Sequence, residues 1–469
     1  MIDSLESKSK ELLKGTIVYF IGNILTQLLG IVLLKYITGS VTTEEYGYFS
    51  LIVTIDNLVT PMITLQISDA AFRFLIKSDT KEQKKIVFST CTLIIGIGAL
   101  LSCVLVFGLN CFIRVQCPVY IALYIISTNI FAYMQRVARS LGKNEIFIVA
   151  NLCKALIYGL CIVMFVINSS NGVKGLLISN CISTYTCILF LIVVLKLHKL
   201  FCFQRISYEL SKKMIAFSAP LIPNTAVWWM QSSINSLIIT AQIGASYNGI
   251  YSVSNKFAAI LHLVINVFDL AWQESAIREY DSEGYKEFVT DIFDKYVVFL
   301  LSSIAVFIPF LKLIVPVLID VVYLEAVTYI PFLLLATALS ACSGFFAQLI
   351  TAKNQNIKLL YTNIIGAVTN ILIVFSLIGR IGIWAIIVSV LVSNLILVIS
   401  RFSVVKELIL RIDVKKYLLL VFFNLICCSA FLYGNTYILM LTLIAGVGVF
   451  FVSNYKIINK ILKMVVRRI

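Results

Sequence analysis

The amino-acid sequence predicts an all-α polytopic membrane protein with about fourteen transmembrane helices. The chain is 60% hydrophobic and only 13% charged, whereas a soluble chain is near half apolar and about a quarter charged. Apolar runs of about 20 residues, long enough to cross a bilayer as a helix, recur along its whole length. Lys and Arg residues are concentrated in every second loop, as in multi-pass membrane proteins.

The helices are predicted from apolar segments that are separated by short polar breaks. Such segments are typical of helices in a bilayer, where the backbone polar groups must be satisfied within the segment. Pro61, Pro220 and Pro223 lie inside segments and predict bends. The predicted helices span roughly residues 16–38, 46–74, 86–110, 116–138, 145–168, 173–196, 213–243, 247–277, 288–311, 328–352, 357–378, 382–402, 415–433 and 436–454.

The orientation follows from the loop charges. The N-terminus and alternate loops hold 31 of the 38 Lys and Arg residues, the opposite side holds five, and Lys154 and Lys256 lie inside spans. Cytoplasmic loops carry the basic excess, so both termini are predicted to be cytoplasmic. The net charge of +15 therefore needs no nucleic-acid partner. The polar start, MIDSLESKSKELLKG, is unlike a cleaved signal peptide.

Three short motifs recur in the same order, about two hundred residues apart. Such a repeat predicts two six-helix lobes of the same topology around a central cavity. The predicted boundaries are 1–205 for the N-terminal lobe, 206–410 for the C-terminal lobe, and 411–469 for two additional helices and a basic cytoplasmic tail. The motif pairs are GYFSL at Gly47 with GIYSV at Gly249, LGKNEIF at Leu141 with TAKNQNI at Thr351, and GVKG at Gly172 with GRIG at Gly379.

Enzyme motifs are absent from the sequence, which has no P-loop, H-E-x-x-H, nucleophile elbow or dinucleotide glycine fingerprint. His198 and His262 are the only histidines, which excludes a His-rich metal site. The twelve cysteines contain no C-x-x-C pair and are interpreted as packing residues. Cys111 and Cys117 flank a short external loop and could pair. The sequence thus predicts a protein that is not an enzyme and has no metal or cofactor.

Polar residues form stripes on two consecutive predicted helices. At ~100° per residue, the members of each stripe fall on one face. Single Asn or Gln side chains often join helices by hydrogen bonds, but two long stripes favour a hydrated cavity. Helices one and two add Asn23, Thr26, Gln27, Asp56, Asn57 and Thr60. The stripes are Asn224, Trp228, Gln231, Asn235 and Gln242 on the seventh helix, and Asn255, His262, Asn266, Asp269 and Gln273 on the eighth.

Charged residues inside the spans point to the same cavity. Lys256, Lys154 and Asp56 lie deep in predicted helices, where a charge costs at least ~2.5–3.5 kcal/mol on insertion scales. Such a charge normally faces a partner or a water-filled path, and a buried structural ion pair is the alternative. Near the cytoplasmic helix ends, three arginines form a predicted basic mouth, although each alone fits a positive-inside position. They are Arg73, Arg136 and Arg139.

The segment Ser211–Tyr280 resembles the second-half signature of bacterial Wzx-type repeat-unit flippases. The segments KGTIVYFIGNILTQLLGIVLLKYIT, TTEEYGYFSL and ISDAAFRFL resemble the start of the same family. The resemblance covers the first 75 residues and 211–280 closely, and the rest by topology. Its residues in the second half are Ser218-Ala219-Pro220-Leu221-Ile222-Pro223-Asn224, Gly249-Ile250-Tyr251-Ser252, Lys256 and Ala271-Trp272.

This resemblance implies the multidrug/oligosaccharidyl-lipid/polysaccharide exporter superfamily, with two six-helix lobes and often two further helices. It implies alternating-access transport of undecaprenyl-diphosphate-linked oligosaccharides across the bacterial cytoplasmic membrane, for O-antigen, capsule or related glycans. The expected partners are this lipid-linked oligosaccharide, the lipid bilayer, and polysaccharide polymerase or export machinery. A diphosphate needs cations within the membrane, so Lys256 is interpreted as a phosphate or gating charge. Coupling to protons or sodium is left open.

Two other functions compete with the flippase. A cation-coupled drug exporter of the same superfamily would use acidic sites, for which Asp56, Asp269 and Glu274 are available, but the stripes are too polar for an apolar pocket. A membrane-embedded glycan polymerase or ligase would be an enzyme, and such proteins typically have long external loops. The external loops here are short, the longest being about residues 312–327.

The repeat also suggests a gating pair. When the two motif glycines are aligned, Asp56 corresponds to Ala258, two residues from Lys256. The lobes thus carry opposite charges at nearly equivalent depth, and one hypothesis is that Asp56 and Lys256 approach each other in one state and separate in another. The alternative is that each charge is paired within its own lobe. Asp269 is a third predicted gating charge.

Overall fold

The computed structural model describes residues 25–169, 171–353, 355–410 and 413–466, which contain no β-strand. The helices are α1 (Leu25–Thr38), α2 (Thr43–Ile63), α3 (Ile67–Ile76), α4 (Lys81–Phe112), α5 (Pro118–Ser140), α6 (Asn144–Ile162, continued by a π-helical turn, Val163–Ile167), α7 (Gly172–Val194), α8 (Tyr208–Ser218), α9 (Ile222–Gln242), α10 (Ala245–Arg278), α11 (Tyr285–Leu318), α12 (Glu325–Ala352), α13 (Asn356–Ile381), α14 (Ile383–Val405), α15 (Val414–Tyr433) and α16 (Thr436–Val466).

The predicted all-helical membrane fold is confirmed. Each predicted segment coincides with one helix, except that the second is divided into α2 and α3 and the seventh into α8 and α9. Ten of the described helices are long and apolar enough to cross a membrane, or eleven if α2 and α3 form one span. Polar residues lower the mean hydropathy of α5 and α9, which are not among the ten. The full count of fourteen spans stays a prediction.

Capping boxes define the starts of α2 and α4. The Thr42 side chain accepts a hydrogen bond from the Glu45 amide at 3.2 Å, and the Glu45 carboxylate accepts one from the Thr42 amide at 3.0 Å. Thr80 and Gln83 form the same arrangement before α4. Because such a box satisfies two otherwise unpaired donors of the first turn, these helices begin at the polar breaks seen in the sequence.

A break between α2 and α3 bends the predicted second span by 58°. Pro61 lies inside α2, as predicted for a bend, but the helix ends two residues later. Leu65 and Gln66 then both adopt φ near 51°, the left-handed region. For residues with side chains this conformation costs roughly 1–2 kcal/mol each, so the break is held by its surroundings. One such contact is the hydrogen bond from the Gln66 amide to the Thr225 hydroxyl of α9.

The chain forms two compact units, Met1–Gly249 and Ile250–Ile469. In the first, helices α3 to α8 bury a core around Tyr133, Phe88 and Met214. In the second, an aromatic cluster on α10, α11 and α12 includes Trp272 and Phe345, whose ring centroids are 4.2 Å apart. The lobe boundaries near residues 205 and 410 stay predictions.

Candidate functional site

Two glycines of the repeated motif contact each other through their backbones within the first unit. Gly47 lies near the start of α2, and Gly249 lies near the start of α10. A Cβ atom on Gly47 would overlap the carbonyl oxygen of Ala245 and lie 2.7 Å from the amide nitrogen of Gly249. A Cβ atom on Gly249 would overlap the carbonyl oxygen of Thr43 and lie 3.1 Å from the amide nitrogen of Gly47. Glycine at both positions permits this approach.

This glycine contact has a local twofold symmetry that matches the sequence repeat. Each glycine, and each carbonyl that it faces, is 202 residues from its counterpart. Hydrogen bonds surround the contact: the Thr43 and Ser246 hydroxyl oxygens are 2.5 Å apart, and the Asn248 amide donates to the Gly47 carbonyl at 2.8 Å. The Ser236 hydroxyl of α9 donates to the Asn248 side-chain oxygen at 2.7 Å. The repeated motif therefore joins the starts of α2 and α10.

A second polar group of the first unit is centred on Asp56. Its carboxylate, 6% exposed, accepts hydrogen bonds from the hydroxyls of Thr60 at 2.7 Å and of Thr128, on α5, at 2.9 Å. Lys154 of α6 interacts electrostatically with this carboxylate. The Lys154 ammonium also lies 4.8 Å from the centroid of the Phe131 ring. A charge within membrane helices requires such partners, and here two hydroxyls, a cation and an aromatic face supply them.

The surroundings of Asp56 bear on the gating hypothesis. Within the first unit its partners are the two hydroxyls and Lys154, which is the within-lobe arrangement left open by the sequence. Lys256 is half-buried in α10 and belongs to the second unit. Its approach to Asp56 stays a prediction. Of the two lysines predicted inside spans, Lys154 is the one whose neighbours, Asp56 and Phe131, are described above.

The predicted polar stripe of the seventh helix lies on α9. Asn235 is buried, and its side-chain oxygen has no hydrogen-bond partner among the described residues. Gln242 is exposed at the end of the helix. The neighbouring Trp229, absent from the predicted stripe, donates its indole N–H to the carbonyl of Thr54 at 2.7 Å and so joins α9 to α2. The side chains of Asn224, Trp228 and Gln231 lie outside the described part of α9.

The predicted stripe of the eighth helix forms a polar face of α10. His262, Asn266 and Gln273 are exposed, and Asn255 and Asp269 are half-buried. The adjacent faces are apolar and buried, with Leu261 only 2% exposed. At ~100° per residue, Lys256 points about 120° away from His262, so it lies beside this face rather than on it. The polar face of α10, defined by these five residues, fits the predicted contact with water.

The predicted basic mouth is partly neutralised. Arg73 lies on α3, and Arg136 and Arg139 lie on the neighbouring α5. The Arg136 guanidinium is 2.9 Å from the Asp69 carboxylate. Arg73 and Arg139 each lie over a phenylalanine ring, at 4.2 and 5.5 Å from its centroid. The structure therefore brings these three arginines together on two adjacent helices, with a net charge smaller than their number suggests.

Some polar residues of the site were not singled out from the sequence. Thr128 is one of several polar residues in the predicted fourth helix, α5, and only the structure shows that it binds Asp56. Arg401, near the end of α14, is 8% exposed and donates to Ser343 and Thr362 of the adjacent helices. The sequence shows such residues only as polar positions in an apolar segment. It does not identify the residues to which they bind. All described cysteines, Cys111 and Cys117 included, are free.

The solved structures that align with this chain include membrane transporters. The lipid II flippase MurJ, in its inward closed conformation, aligns with a TM-score of 0.68 at 14% identity, covering 96% of this chain and 100% of that one. An inward-facing multidrug resistance MATE family transporter of the MOP superfamily aligns with a TM-score of 0.64 at 13% identity, over 81% of this chain and 95% of that one. The MATE multidrug transporter DinF-BH aligns with a TM-score of 0.57 at 16% identity, over 85% and 95%. The chain therefore shares the fold of these solved structures.

The family is shown by the sequence itself. Residues 12–272, more than half of the chain, match the polysaccharide biosynthesis protein family, and the chain belongs to that family. No curated protein matches the chain. The structural neighbours are described as a flippase and transporters rather than as enzymes, in agreement with the sequence-based prediction of a protein that is not an enzyme.

Proposed function

We propose that this protein flips undecaprenyl-diphosphate-linked oligosaccharide repeat units across the bacterial cytoplasmic membrane, for O-antigen, capsule or a related surface polysaccharide. The observation that carries the proposal is the positive charge kept inside the helices. Lys154 is half-buried beside Asp56 and Phe131, and Lys256 is half-buried in α10. The family match and the likeness in fold to a flippase of lipid II support the same cargo class.

The chemistry of this cargo suits the polar groups of the site. A diphosphate is attracted to ammonium groups within a low-dielectric region, where charge-assisted hydrogen bonds contribute more than in water. A sugar chain offers hydroxyl groups, which the amides of Asn255 and Asn266 and the imidazole of His262 can bind. We therefore propose Lys154 and Lys256 as cations that bind the diphosphate, and the polar face of α10 as the surface that binds the glycan.

Alternating access would use the glycine contact as a closure. The predicted orientation places the starts of α2 and α10 at the outer surface. With Gly47 against Gly249, that end is closed, and release of the cargo to the outer leaflet requires the two backbones to separate. Both termini are then cytoplasmic. Polymerase or export machinery at the outer surface would receive the repeat unit.

Lys256→Ala is expected to lower the flipping rate at least about tenfold, because one charge-assisted contact to phosphate contributes roughly 1.5–3 kcal/mol. The measurement is flipping of undecaprenyl-diphosphate carrying a short fluorescent glycan in proteoliposomes. Lys256→Arg keeps the charge and should retain most activity. Lys174→Ala, at an exposed position in the first turn of α7, is the matched control and should flip normally. Wild-type rates for Lys256→Ala would assign Lys256 a structural role.

Cysteine labelling tests the polar face of α10. In a background without native cysteines, His262→Cys and Asn266→Cys should react quickly with a membrane-impermeant thiol reagent, because both positions are exposed on a face predicted to meet water. Leu261→Cys is a matched control one residue away, since Leu261 is 2% exposed. Equal reaction at 261 and 262 would contradict a hydrated polar face.

A drug exporter is the second candidate, since several structural neighbours are multidrug transporters. It requires a cation-binding acid, and Asp269 meets that requirement in part. The same proteoliposomes distinguish the two: transport of a cationic dye without flipping of the lipid-linked glycan would favour the exporter.

A further inference from the structure

The segment that joins α7 to α8, residues 195–207, is fastened to α4 at two points. The Ser89 hydroxyl accepts a hydrogen bond from the Cys202 amide at 2.8 Å, and the Thr90 hydroxyl accepts one from the Ser207 amide at 3.1 Å. These side chains satisfy backbone donors that a loose loop would leave to water. The linker is therefore an ordered part of the first unit, and the side chains that it directs away from the bundle have a defined arrangement.

The linker meets α4 near the predicted membrane boundary. Helix α4 begins at Lys81 with the charged turn KEQKK, and its apolar run starts near residue 86. Ser89 and Thr90 lie just inside this apolar run, ~12 Å from the start of the helix by helical rise. On the predicted cytoplasmic side, this is the level of the lipid headgroups rather than of the open cytoplasm.

Three aromatic side chains point outward from this ordered segment. Phe201 and Phe203 are 43% and 72% exposed, and Tyr208, the first residue of α8, is 84% exposed. Aromatic rings are enriched at the interface between a membrane and water, where the ring is sheltered from water. Phe203 has no polar atom to offer to water, so a lipid interface suits its ring better than an aqueous surface.

The aromatic side chains lie among cations. Residues 77–85 and 196–213, here called the linker surface, hold nine Lys and Arg residues against three Asp and Glu residues. Arg205 and Lys213 are already paired with acids of the same segments, at 3.4 and 2.6 Å. Five other lysines are exposed and have no acidic partner among the described residues: Lys77, Lys81, Lys196, Lys199 and Lys212.

We propose that the linker surface binds the headgroups of anionic phospholipids in the cytoplasmic leaflet. Its ammonium groups contact lipid phosphates, and its aromatic rings lie among the headgroups. A soluble anion would pair with the lysines but would leave the rings in water, and the depth of the linker along α4 favours a lipid over a cytoplasmic protein. Because the backbone is already fixed, binding costs little conformational entropy.

The contact with lipid is tested on the full chain in nanodiscs, without any transport. In a background without native cysteines, Phe203→Cys and Tyr208→Cys are each labelled with an environment-sensitive fluorophore. Quenching by acrylamide, a neutral quencher, should fall several-fold when phosphatidylglycerol is added to phosphatidylcholine discs. Val321→Cys is the matched control, because Val321 is an apolar residue that is 76% exposed and lies outside the basic surface. Its quenching should be equal in the two kinds of disc.

The charge requirement is tested by replacing Lys196, Lys199 and Lys212 together by glutamine. The effect of phosphatidylglycerol on the label at 203 should be lost, whereas a merely structural role of the aromatic rings would leave it unchanged. High salt should weaken the effect in the unsubstituted chain, since exposed charges are screened. Three lysines outside the linker surface serve as the control for net charge, and their replacement by glutamine should preserve the effect: Lys286, Lys358 and Lys406.

Two results would overturn the proposal. One is equal quenching with and without phosphatidylglycerol at both labelled positions, or an effect of this lipid that persists in the triple glutamine variant. The other is protection that appears only when undecaprenyl-diphosphate is added to phosphatidylcholine discs, which would assign the linker surface to the cargo lipid instead of to a phospholipid.

Discussion

Gly47→Ala is expected to abolish flipping while the protein remains folded in the membrane. The added methyl group would overlap the Ala245 carbonyl oxygen and lie 2.7 Å from the Gly249 amide nitrogen, so the two backbones must move apart. Because both atoms belong to helix backbone, no side-chain rotation can relieve the overlap. The outer end would then stay open. The flipping rate should fall more than about tenfold, which corresponds to a destabilisation of the closed state by roughly 1.4 kcal/mol or more.

Gly96→Ala is the matched control for this prediction. Gly96 is a helical glycine in α4 with nothing within 4 Å of an added Cβ atom, so alanine should be tolerated and should favour the helix slightly. A second arm uses Thr43→Cys with Ser246→Cys in a background without native cysteines, since the two hydroxyl oxygens are 2.5 Å apart. Oxidation should stop flipping and reduction should restore it. Normal flipping by the oxidised pair would show that this contact never opens.

The second large effect concerns Lys154 and Asp56. Lys154→Ala leaves the Asp56 carboxylate with two hydroxyl donors and no described cation, and such an uncompensated buried charge costs roughly 3–5 kcal/mol. We expect less protein in the membrane and a lower unfolding temperature in detergent. Asp56→Asn in the same chain removes the unpaired charge and should restore both. Flipping should stay lost in this double variant if Lys154 contacts the diphosphate.

The opposite outcome has a clear meaning as well. If the Asp56→Asn, Lys154→Ala variant flips at the wild-type rate, the pair serves stability and Lys154 does not touch the cargo. Lys312→Ala provides a comparison for stability, because Lys312 lies over the Phe431 ring at 4.8 Å in the second unit without an acidic partner in the described part. Any small loss of stability in Lys312→Ala then measures the removal of a lysine alone. A larger loss in Lys154→Ala is due to the Asp56 carboxylate that is left unpaired.

The sequence predicted the helices and the repeat because both depend on local patterns. Apolar length determines where a helix can lie in a bilayer, so most predicted bounds agree with the structure to within a few residues. The repeat predicted that Gly47 and Gly249 are equivalent, and the structure adds that they touch. Contact between equivalent positions depends on tertiary packing, which a motif alone does not contain.

The side-chain partners could not be predicted in the same way. Depth along a helix related Asp56 to Lys256, whereas the defined partners of Asp56 include Thr60, one turn along the same helix, and Thr128, whose approach depends on the packing of α2 against α5. Of two adjacent indoles on α9, periodicity selected Trp228, and Trp229 proved to bind α2. A helical pattern identifies a face, but the neighbour that meets this face is decided by packing across the bundle.

The meeting of Gly47 and Gly249 involves main-chain atoms, which every protein sequence shares. A closure built in this way does not depend on the identity of the sugar that passes, because the two backbones in contact are the same whatever the cargo. The residues that distinguish one glycan from another can therefore change without altering the contact between the two glycines. A transporter of this design could be given a new cargo by exchanging side chains along α9 and α10 while its two glycines stay in place.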